Sequence, residues 1–148
     1  MSKKDVFEKY YKEYDEWFTV NKHLYLAELN IIKKVIPPQK NGMEIGIGTG
    51  MFAEPLGIKI GVEPATKMAE ISRRKGIEVH NGTAENLPFD NGIFDFALMV
   101  TTICFVDDVF QSLSEAYRVL KDKGQIIIGF VDKESKIGKQ YQAEKEKS

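Results

Sequence analysis

The stretch Met43-Glu44-Ile45-Gly46-Ile47-Gly48-Thr49-Gly50 decides the fold of this chain. Its first half is short and mostly apolar, which predicts a buried β-strand. Its second half carries a glycine at every second position, which lets the backbone turn sharply and lie close to a ligand. A brief helix is predicted from Met51 to Leu56, and a helix N-terminus offers unpaired amide groups. The stretch therefore predicts a strand that enters a glycine turn, and a turn of this kind occurs both at ligand sites and for structural reasons alone.

Strands and helices alternate after the glycine turn. Further strands are predicted over mostly apolar runs at residues 58–62, 77–80, 93–100 and 125–131. Helices are predicted at residues 65–75 and 109–120, the second ended by Lys121-Asp122-Lys123-Gly124. Such alternation predicts an α/β fold, with a mostly parallel sheet and helices on both of its faces.

Two amphipathic helices are predicted before the first strand. Apolar residues recur at helical spacing over Asp5–Phe18 and again over His23–Val35. Pro37-Pro38 ends the second helix, because proline lacks the amide hydrogen and disfavours helix in the residue before it.

Composition narrows the class of protein. The 148 residues fit one domain, and 21 basic against 22 acidic residues give a net charge of -1, which disfavours nucleic acid as a partner. The single cysteine, Cys104, excludes an intramolecular disulfide and a cysteine-cluster metal site, and no metal is expected. No apolar run approaches the roughly 20 residues of a membrane span. We therefore expect a cytoplasmic protein that contacts no membrane.

Glu63, in Gly61-Val62-Glu63-Pro64, closes the second predicted strand. A carboxylate there can accept both ribose hydroxyls of an adenosine, although a solvated strand end is the simpler alternative. Dinucleotide enzymes carry G-x-G-x-x-G, whereas Met51 stands here at the third glycine position. Glu44 would repel a pyrophosphate but attract a cationic group. The pattern favours a positively charged nucleoside over a nicotinamide dinucleotide.

These motifs resemble the class I S-adenosylmethionine-dependent methyltransferases, in particular their type 11 group. Further matching segments are residues 82–89, 94–95 and 115–121 with Gly124, so the resemblance runs from Met43 to Val131. It implies a Rossmann-like core that transfers a methyl group from S-adenosylmethionine to a small-molecule acceptor and leaves S-adenosylhomocysteine. Residues 1–40 would form a helical cap, residues 41–131 the core, and residues 132–148 a polar tail.

The resemblance also implies roles for individual residues. Glu44, Gly46, Gly48 and Gly50 would line the methionine portion of the cofactor, Glu63 with Pro64 the ribose, Thr83, Ala84 and Glu85 the adenine, and Thr101 with Thr102 the transferring methyl group. Tyr14 would close over the cofactor, or else pack as an ordinary helix face. No motif supplies a general base, so the catalytic residue is unknown; His23 and His80 are the histidines that could be considered for that role. Asp95 is expected to be structural.

Three departures separate this chain from the pattern it resembles. Thr83 stands where the family usually has an aspartate for the adenine. The segment from Gly50 to Glu63 is several residues short, so the first core helix is expected to lose about one turn. The family's last two strands are missing after the fifth, which implies a fragment or a further chain, such as a second copy, over the open sheet edge. A non-catalytic or truncated cofactor-binding module is the alternative function.

Overall fold

The computed structural model describes residues 3–38, 40–102 and 105–129. In chain order the elements are α1 (Lys3–Val20), α2 (Lys22–Val35), β1 (Gly42–Ile45), α3 (Ala53–Leu56), β2 (Ile60–Val62), α4 (Thr66–Arg74), β3 (Glu78–His80), β4 (Phe94–Val100), α5 (Val109–Val119) and β5 (Leu120–Gly129). The five strands form one sheet in the order β3-β2-β1-β4-β5, and every neighbouring pair is parallel. The predicted α/β fold is confirmed.

Helices cover both faces of the sheet because the central strands are apolar on both sides. On one face, Phe96 and Leu98 of β4 pack in a core with residues of α1 to α4. On the other face, Met43 and Ile45 of β1 pack in a second core with residues of α5. Adjacent strand residues point to opposite faces, so a strand buried on both sides needs an uninterrupted apolar run.

The order of the strands reverses beside β1. From β1 the chain proceeds outward to β2 and β3, and then returns to the other side of β1 to add β4 and β5. In open α/β sheets, ligands bind at such a switch point, in the crevice outside the carboxyl ends of the strands. The glycine turn follows β1 and therefore lies at this crevice.

The predicted start of the last strand is wrong. β5 begins at Leu120, and the expected loop Lys121-Asp122-Lys123-Gly124 lies inside it. Leu120 pairs with Phe94 and Gln125 pairs with Phe96, so the register moves by five residues in β5 and by only two in β4. The three additional residues form an irregularity in which Lys123 has a φ of 66°. The predicted end of this strand, residues 130–131, and the predicted tail, residues 132–148, lie outside the described residues.

The first core helix, α3, is short, in agreement with the predicted loss of about one turn. α3 spans four residues, and Gly57, with a φ of 74°, ends it by donating its amide hydrogen to the carbonyl oxygen of Glu54. A left-handed glycine after the last helical residue is a common way to terminate a helix. α1 and α2 are slightly longer than predicted, α1 is kinked at Tyr10, and α2 ends before Pro37 as expected.

Candidate functional site

The glycine turn is held in a backbone conformation that favours glycine. Gly46, Gly48 and Gly50 have φ values of 70°, 59° and 83°, in the left-handed region. The amide groups of Gly46 and Ile47 both donate to the carbonyl oxygen of Val62, at 2.9 and 3.0 Å. These two bonds fix the turn against the carboxyl end of β2. The alternate glycines are therefore a requirement of the turn itself.

Glu63 lies beneath the glycine turn. Its side chain is buried, Oε1 accepts a hydrogen bond from the Gly48 amide at 2.8 Å, and Oε2 accepts one from the Ala65 amide at 2.9 Å. Burial raises the pKa of Glu63, and the two backbone hydrogen bonds oppose that rise. Since a carboxylate oxygen has two acceptor directions, each oxygen keeps one for a ligand.

Glu44 is the second acidic group of the crevice. It is only 2% exposed, and its Oε1 has no hydrogen-bond partner. Burial raises the pKa of Glu44 well above its ordinary value, and the charge of Glu63 raises it further. Within the part of the chain that the structure describes, no lysine, arginine or histidine forms an ion pair with Glu44 or Glu63. This crevice pair, Glu44 and Glu63, is an arrangement suited to a cationic ligand.

The end of β4 forms the other side of the crevice. Thr102 donates from Oγ1 to the carbonyl oxygen of Ile45 at 3.1 Å. A Cβ atom added to Gly46 would lie 2.5 Å from that same Oγ1, so the two segments touch. Thr101 has a φ of 62°, which is rare for a residue with a branched side chain. Cys104, the single cysteine, lies outside the described residues.

α1 covers the glycine turn from outside. A Cβ atom added to Gly48 would lie 3.2 Å from the hydroxyl oxygen of Tyr14. Thr49 donates from Oγ1 to Oδ1 of Asp15 at 2.7 Å. From α4, Ser72 donates from Oγ to the carbonyl oxygen of Gly48 at 2.7 Å. Tyr14 was predicted at this site, whereas Asp15 and Ser72 were not; the available signal for Ser72 was a polar residue on the buried face of an amphipathic helix.

The loop after β3 reaches the same crevice. Asn81 donates from Nδ2 to the carbonyl oxygen of Glu63 at 3.2 Å, which joins this loop to the end of β2. Thr83 is exposed and Ala84 is buried. The Glu85 carboxylate turns away toward the segment before α5, where Oε2 accepts from the amides of residues 107 and 108 at 2.8 and 3.1 Å. Glu85 thus joins two loops of the crevice.

An ion pair on α5 fixes the rest of that loop. Arg118 donates from Nε to Oε2 of Glu115 at 2.6 Å, and from its terminal nitrogens to the carbonyl oxygens of Leu87 and Phe89 at 2.9 and 2.7 Å. Glu115 also accepts from the Leu87 amide at 2.8 Å. The hydrogen bond from Arg118 is the largest cause that lowers the pKa of Glu115. We call Glu115 and Arg118 the α5 clamp; no role was predicted for either residue from the sequence.

The remaining candidates lie away from the glycine turn. His80 is within 2.9 Å of the Glu78 carboxylate, and His23 is exposed near the start of α2. Asp95 accepts from the Asn41 amide at 2.8 Å and so joins the starts of β4 and β1, in agreement with a structural role. No cluster of three or more metal-ligating side chains occurs among the described residues. Nor does any described helix combine the length and apolarity needed to cross a bilayer.

The comparisons with known proteins identify the family. A parallel sheet of this order, with a glycine turn and an acidic strand end at its switch point, is typical of nucleoside-binding α/β proteins. Residues 43–128 match the family model described as a methyltransferase domain, type 11. The chain therefore belongs to the class I S-adenosylmethionine-dependent methyltransferases, which confirms the resemblance found in the sequence.

Three relatives illustrate the similarity. A crystal structure from Thermotoga maritima, described as a SAM-dependent methyltransferase and possible histamine N-methyltransferase, is 55% identical with a TM-score of 0.90, covering 97% of this chain and 69% of that one. An uncharacterized protein of Methanocaldococcus jannaschii is 45% identical over 97% of this chain and 70% of its own length. Demethylmenaquinone methyltransferase of a Geobacillus species is 27% identical over 82% of this chain and 59% of its own length. The chain spans only 42% of several mycobacterial relatives.

Proposed function

We propose that this protein transfers the methyl group of S-adenosylmethionine to a small-molecule acceptor. The observation that carries the proposal is the crevice pair: two buried carboxylates beside a glycine turn, neither of them in an ion pair with a basic side chain of the described residues. S-adenosylmethionine brings a sulfonium and an ammonium group, and a buried carboxylate is stabilised by an adjacent cation. The donor set therefore fits this cofactor in chemistry.

The glycine turn and the crevice pair would hold the methionine and ribose portions. Gly46, Gly48 and Gly50 present backbone without side chains, so a ligand can lie close to them. Glu44 would face the cationic end of the methionine portion. Glu63 would accept the ribose hydroxyls through the acceptor directions that its two backbone hydrogen bonds leave unused, with Pro64 beside it.

The loop after β3 would hold the base. Thr83 and Ala84 would flank the adenine, and Glu85 would keep this loop in register with the segment before α5. Because Thr83 replaces an acidic residue, the amino group of the adenine would receive a weaker acceptor than a carboxylate. The α5 clamp would hold the far end of this loop in place through Leu87.

Thr101 and Thr102, at the end of β4, would lie beside the methyl group. When bound, S-adenosylmethionine supplies an activated methyl group for in-line displacement by a nucleophile of the acceptor. The protein's own contribution would be alignment of the two reactants and exclusion of water. Tyr14 covers Gly48 in this structure, so α1 would move aside to admit the ligand and then close over it.

A small acceptor is favoured by both the relatives and the charge of the chain. The Thermotoga maritima relative is described as a possible histamine N-methyltransferase, and the Geobacillus relative as a demethylmenaquinone methyltransferase. A net charge of -1 gives no general attraction for a polyanion such as RNA or DNA. Small amines and quinols are therefore the first acceptors to test.

Titration calorimetry with S-adenosylmethionine, S-adenosylhomocysteine and a nicotinamide dinucleotide tests the proposal. We expect micromolar binding of the two sulfur nucleosides, about a hundredfold weaker in Glu63→Ala because hydrogen bonds to a charged group are lost, and no binding of the dinucleotide. Binding of the dinucleotide alone would contradict the proposal. Release of S-adenosylhomocysteine with a panel of amines and quinols then separates an enzyme from a non-catalytic binding module.

A further inference from the structure

Glu44 and Glu63 are two carboxyl groups in one buried crevice. Glu44 is 2% exposed, Glu63 is 5% exposed, and each receives little solvation from water. Glu63 is hydrogen-bonded through both oxygens, whereas Oε1 of Glu44 has no partner. When two adjacent carboxylates are buried, the better solvated one ionises and the other keeps its proton. Here the hydrogen-bonded Glu63 is the one that ionises, and Glu44 keeps the proton.

The groups around Glu44 are mostly acidic or phenolic. The titratable side chains near it and the glycine turn are Glu63 at the end of β2, Tyr25 on α2, Glu54 on α3, Lys75 after α4, and Glu8, Tyr14 and Asp15 on α1. Lys75 is the basic group among them; its Nζ lies 3.5 Å from Sδ of Met51, and it forms no ion pair with Glu44. The others are acidic or phenolic; burial raises the pKa of Tyr25, and Glu54 and Glu44 raise it further. Since no basic side chain of the described residues pairs with Glu44, a cation that stabilises its ionised form would come from a ligand.

We propose that ligand binding in this crevice is linked to a proton on Glu44, which the free protein holds and the complex releases. On binding, the O–H bond of the carboxyl group breaks, its electron pair stays on the carboxylate, and a buffer base takes the proton. The new carboxylate then faces the ammonium or sulfonium group of the ligand. The inference rests on the proposed function, because the sulfur nucleoside supplies that cation.

The linkage has a defined direction. Burial raises the pKa of Glu44, and Glu63 raises it further, so the free protein keeps this proton at pH values where an exposed glutamate is ionised. A bound cation favours the carboxylate, so the complex holds fewer protons than the free protein. Affinity therefore rises with pH, by up to about tenfold per pH unit, until the free protein itself loses the proton.

The same device makes Glu44 a specificity-determining residue. A cationic group on the ligand offsets the free-energy cost of ionising the buried Glu44, whereas a neutral nucleoside of similar shape does not. 5′-Methylthioadenosine has the adenosine and the sulfur but neither the ammonium nor the sulfonium group. We expect it to bind without proton release and with affinity independent of pH between about 6 and about 8, where ordinary carboxyl groups stay ionised.

Calorimetry in buffers of equal pH and different ionisation enthalpy counts the protons. With the full chain and S-adenosylhomocysteine, we expect release of about one proton per bound ligand. Glu44→Gln, a neutral side chain of the same shape, should bind the ligand with no proton release. Glu28→Gln is the matched control, because burial alone raises the pKa of Glu28 and the crevice pair does not contribute to it. This control should release the same number of protons as the unchanged protein.

The outcomes separate the two proposals. If S-adenosylhomocysteine does not bind the unchanged protein, the proposed function fails. If it binds with no net proton release, or if Glu44→Gln releases as many protons, the proposed function stands and the linkage through Glu44 is overturned. If Glu44→Gln does not fold, proton release by the two ligands is compared on the unchanged protein alone. Equal release by S-adenosylhomocysteine and 5′-methylthioadenosine overturns the linkage.

Discussion

The crevice pair and the α5 clamp both contain glutamate, but the surroundings of the carboxyl groups are opposite in charge. In the clamp, Glu115 meets the Arg118 guanidinium at 2.6 Å and also accepts a backbone hydrogen bond, and its pKa is lowered. In the crevice, Glu44 and Glu63 are buried beside each other, and the pKa of each is raised. The clamp is complete within the chain, whereas the crevice pair lacks a cation.

This difference shows how a structural carboxylate is told apart from a binding one. Glu115 ties α5 to the loop after β3 through the Leu87 amide, and it holds Arg118, which donates to the same loop. Glu44 contributes nothing comparable to the fold, since its buried oxygen has no partner. Natural sequences are locally consistent except where function demands otherwise, and a buried acid without a partner is such an exception. Changes to each region should therefore have different consequences.

The largest effect is expected from Gly46→Ala, which damages the crevice and spares the clamp. The new Cβ atom would lie 2.5 Å from Oγ1 of Thr102, and the φ of 70° disfavours any side chain. Backbone strain and overpacking together should lower the free energy of unfolding by about 2 to 4 kcal/mol, measured by urea denaturation.

Gly57→Ala is the matched control for that variant. Its φ of 74° is nearly the same, but nothing lies within 4 Å of the added atom. It should therefore show the backbone cost alone, about 1 to 2 kcal/mol. Equal losses from the two variants would mean that contact between the glycine turn and Thr102 is not tight.

Arg118→Ala breaks the clamp and spares the crevice. It leaves Glu115 without its cation and the carbonyl groups of Leu87 and Phe89 without their donor. The side chain of Arg118 is 32% exposed, so the free energy of unfolding should fall by about 2 to 3 kcal/mol, less than for a fully buried pair. Arg74→Ala, an exposed residue at the end of α4, should change stability by less than about 0.5 kcal/mol. A similar small change for Arg118→Ala would show that the clamp stabilises little.

The sequence predicted those features that depend on local backbone requirements. The alternate glycines of the turn need positive φ, and that need is visible in the spacing of Gly46, Gly48 and Gly50. The apolar run of β4 reflects burial on both faces, which any central parallel strand requires. The end of α2 before Pro37 is likewise a local property of the chain.

Features that depend on distant segments were not predicted. Asp15 meets Thr49 across 34 positions, and Ser72 meets Gly48 across 24. Asp15 gives no advance sign of its contact, because aspartate is ordinary on helix surfaces; Ser72 gives only its place on the buried face of α4, which does not identify its partner. The early start of β5 also depends on its pairing with β4, since the Lys121–Gly124 segment has the composition of a loop.

Glu28→Gln tests whether burial without a neighbouring charge is enough to disturb an acidic group. Burial raises the pKa of Glu28 from 4.5 to about 6, so the folded protein binds this proton more tightly than the unfolded chain. The stabilising contribution is complete below about pH 4.5 and is lost as pH rises through about 6. At pH 8, the variant should be more stable than the unchanged protein by about 1 to 2 kcal/mol, and at pH 4 the two should be equal. Thermal unfolding over this pH range measures the difference, and a difference of the same size at pH 4 would mean that packing, not charge, is its cause.

The smallest effect is expected at the contact that closes α1 over the crevice. Thr49 is fully buried, and its hydrogen bond to Asp15 joins the glycine turn to α1. A double-mutant cycle of Thr49→Val and Asp15→Ala should give a coupling energy of about 1 kcal/mol. If α1 moves aside to admit the ligand, Asp15→Ala should also raise the association rate of S-adenosylhomocysteine in stopped-flow measurements. The control variant Arg74→Ala should bind it at the same rate as the unchanged protein. A coupling energy without any change in association rate would show that this bond holds α1 in place but does not limit access to the crevice pair. The two readouts therefore separate a contact that belongs to the fold, as the α5 clamp does, from one that must open for binding.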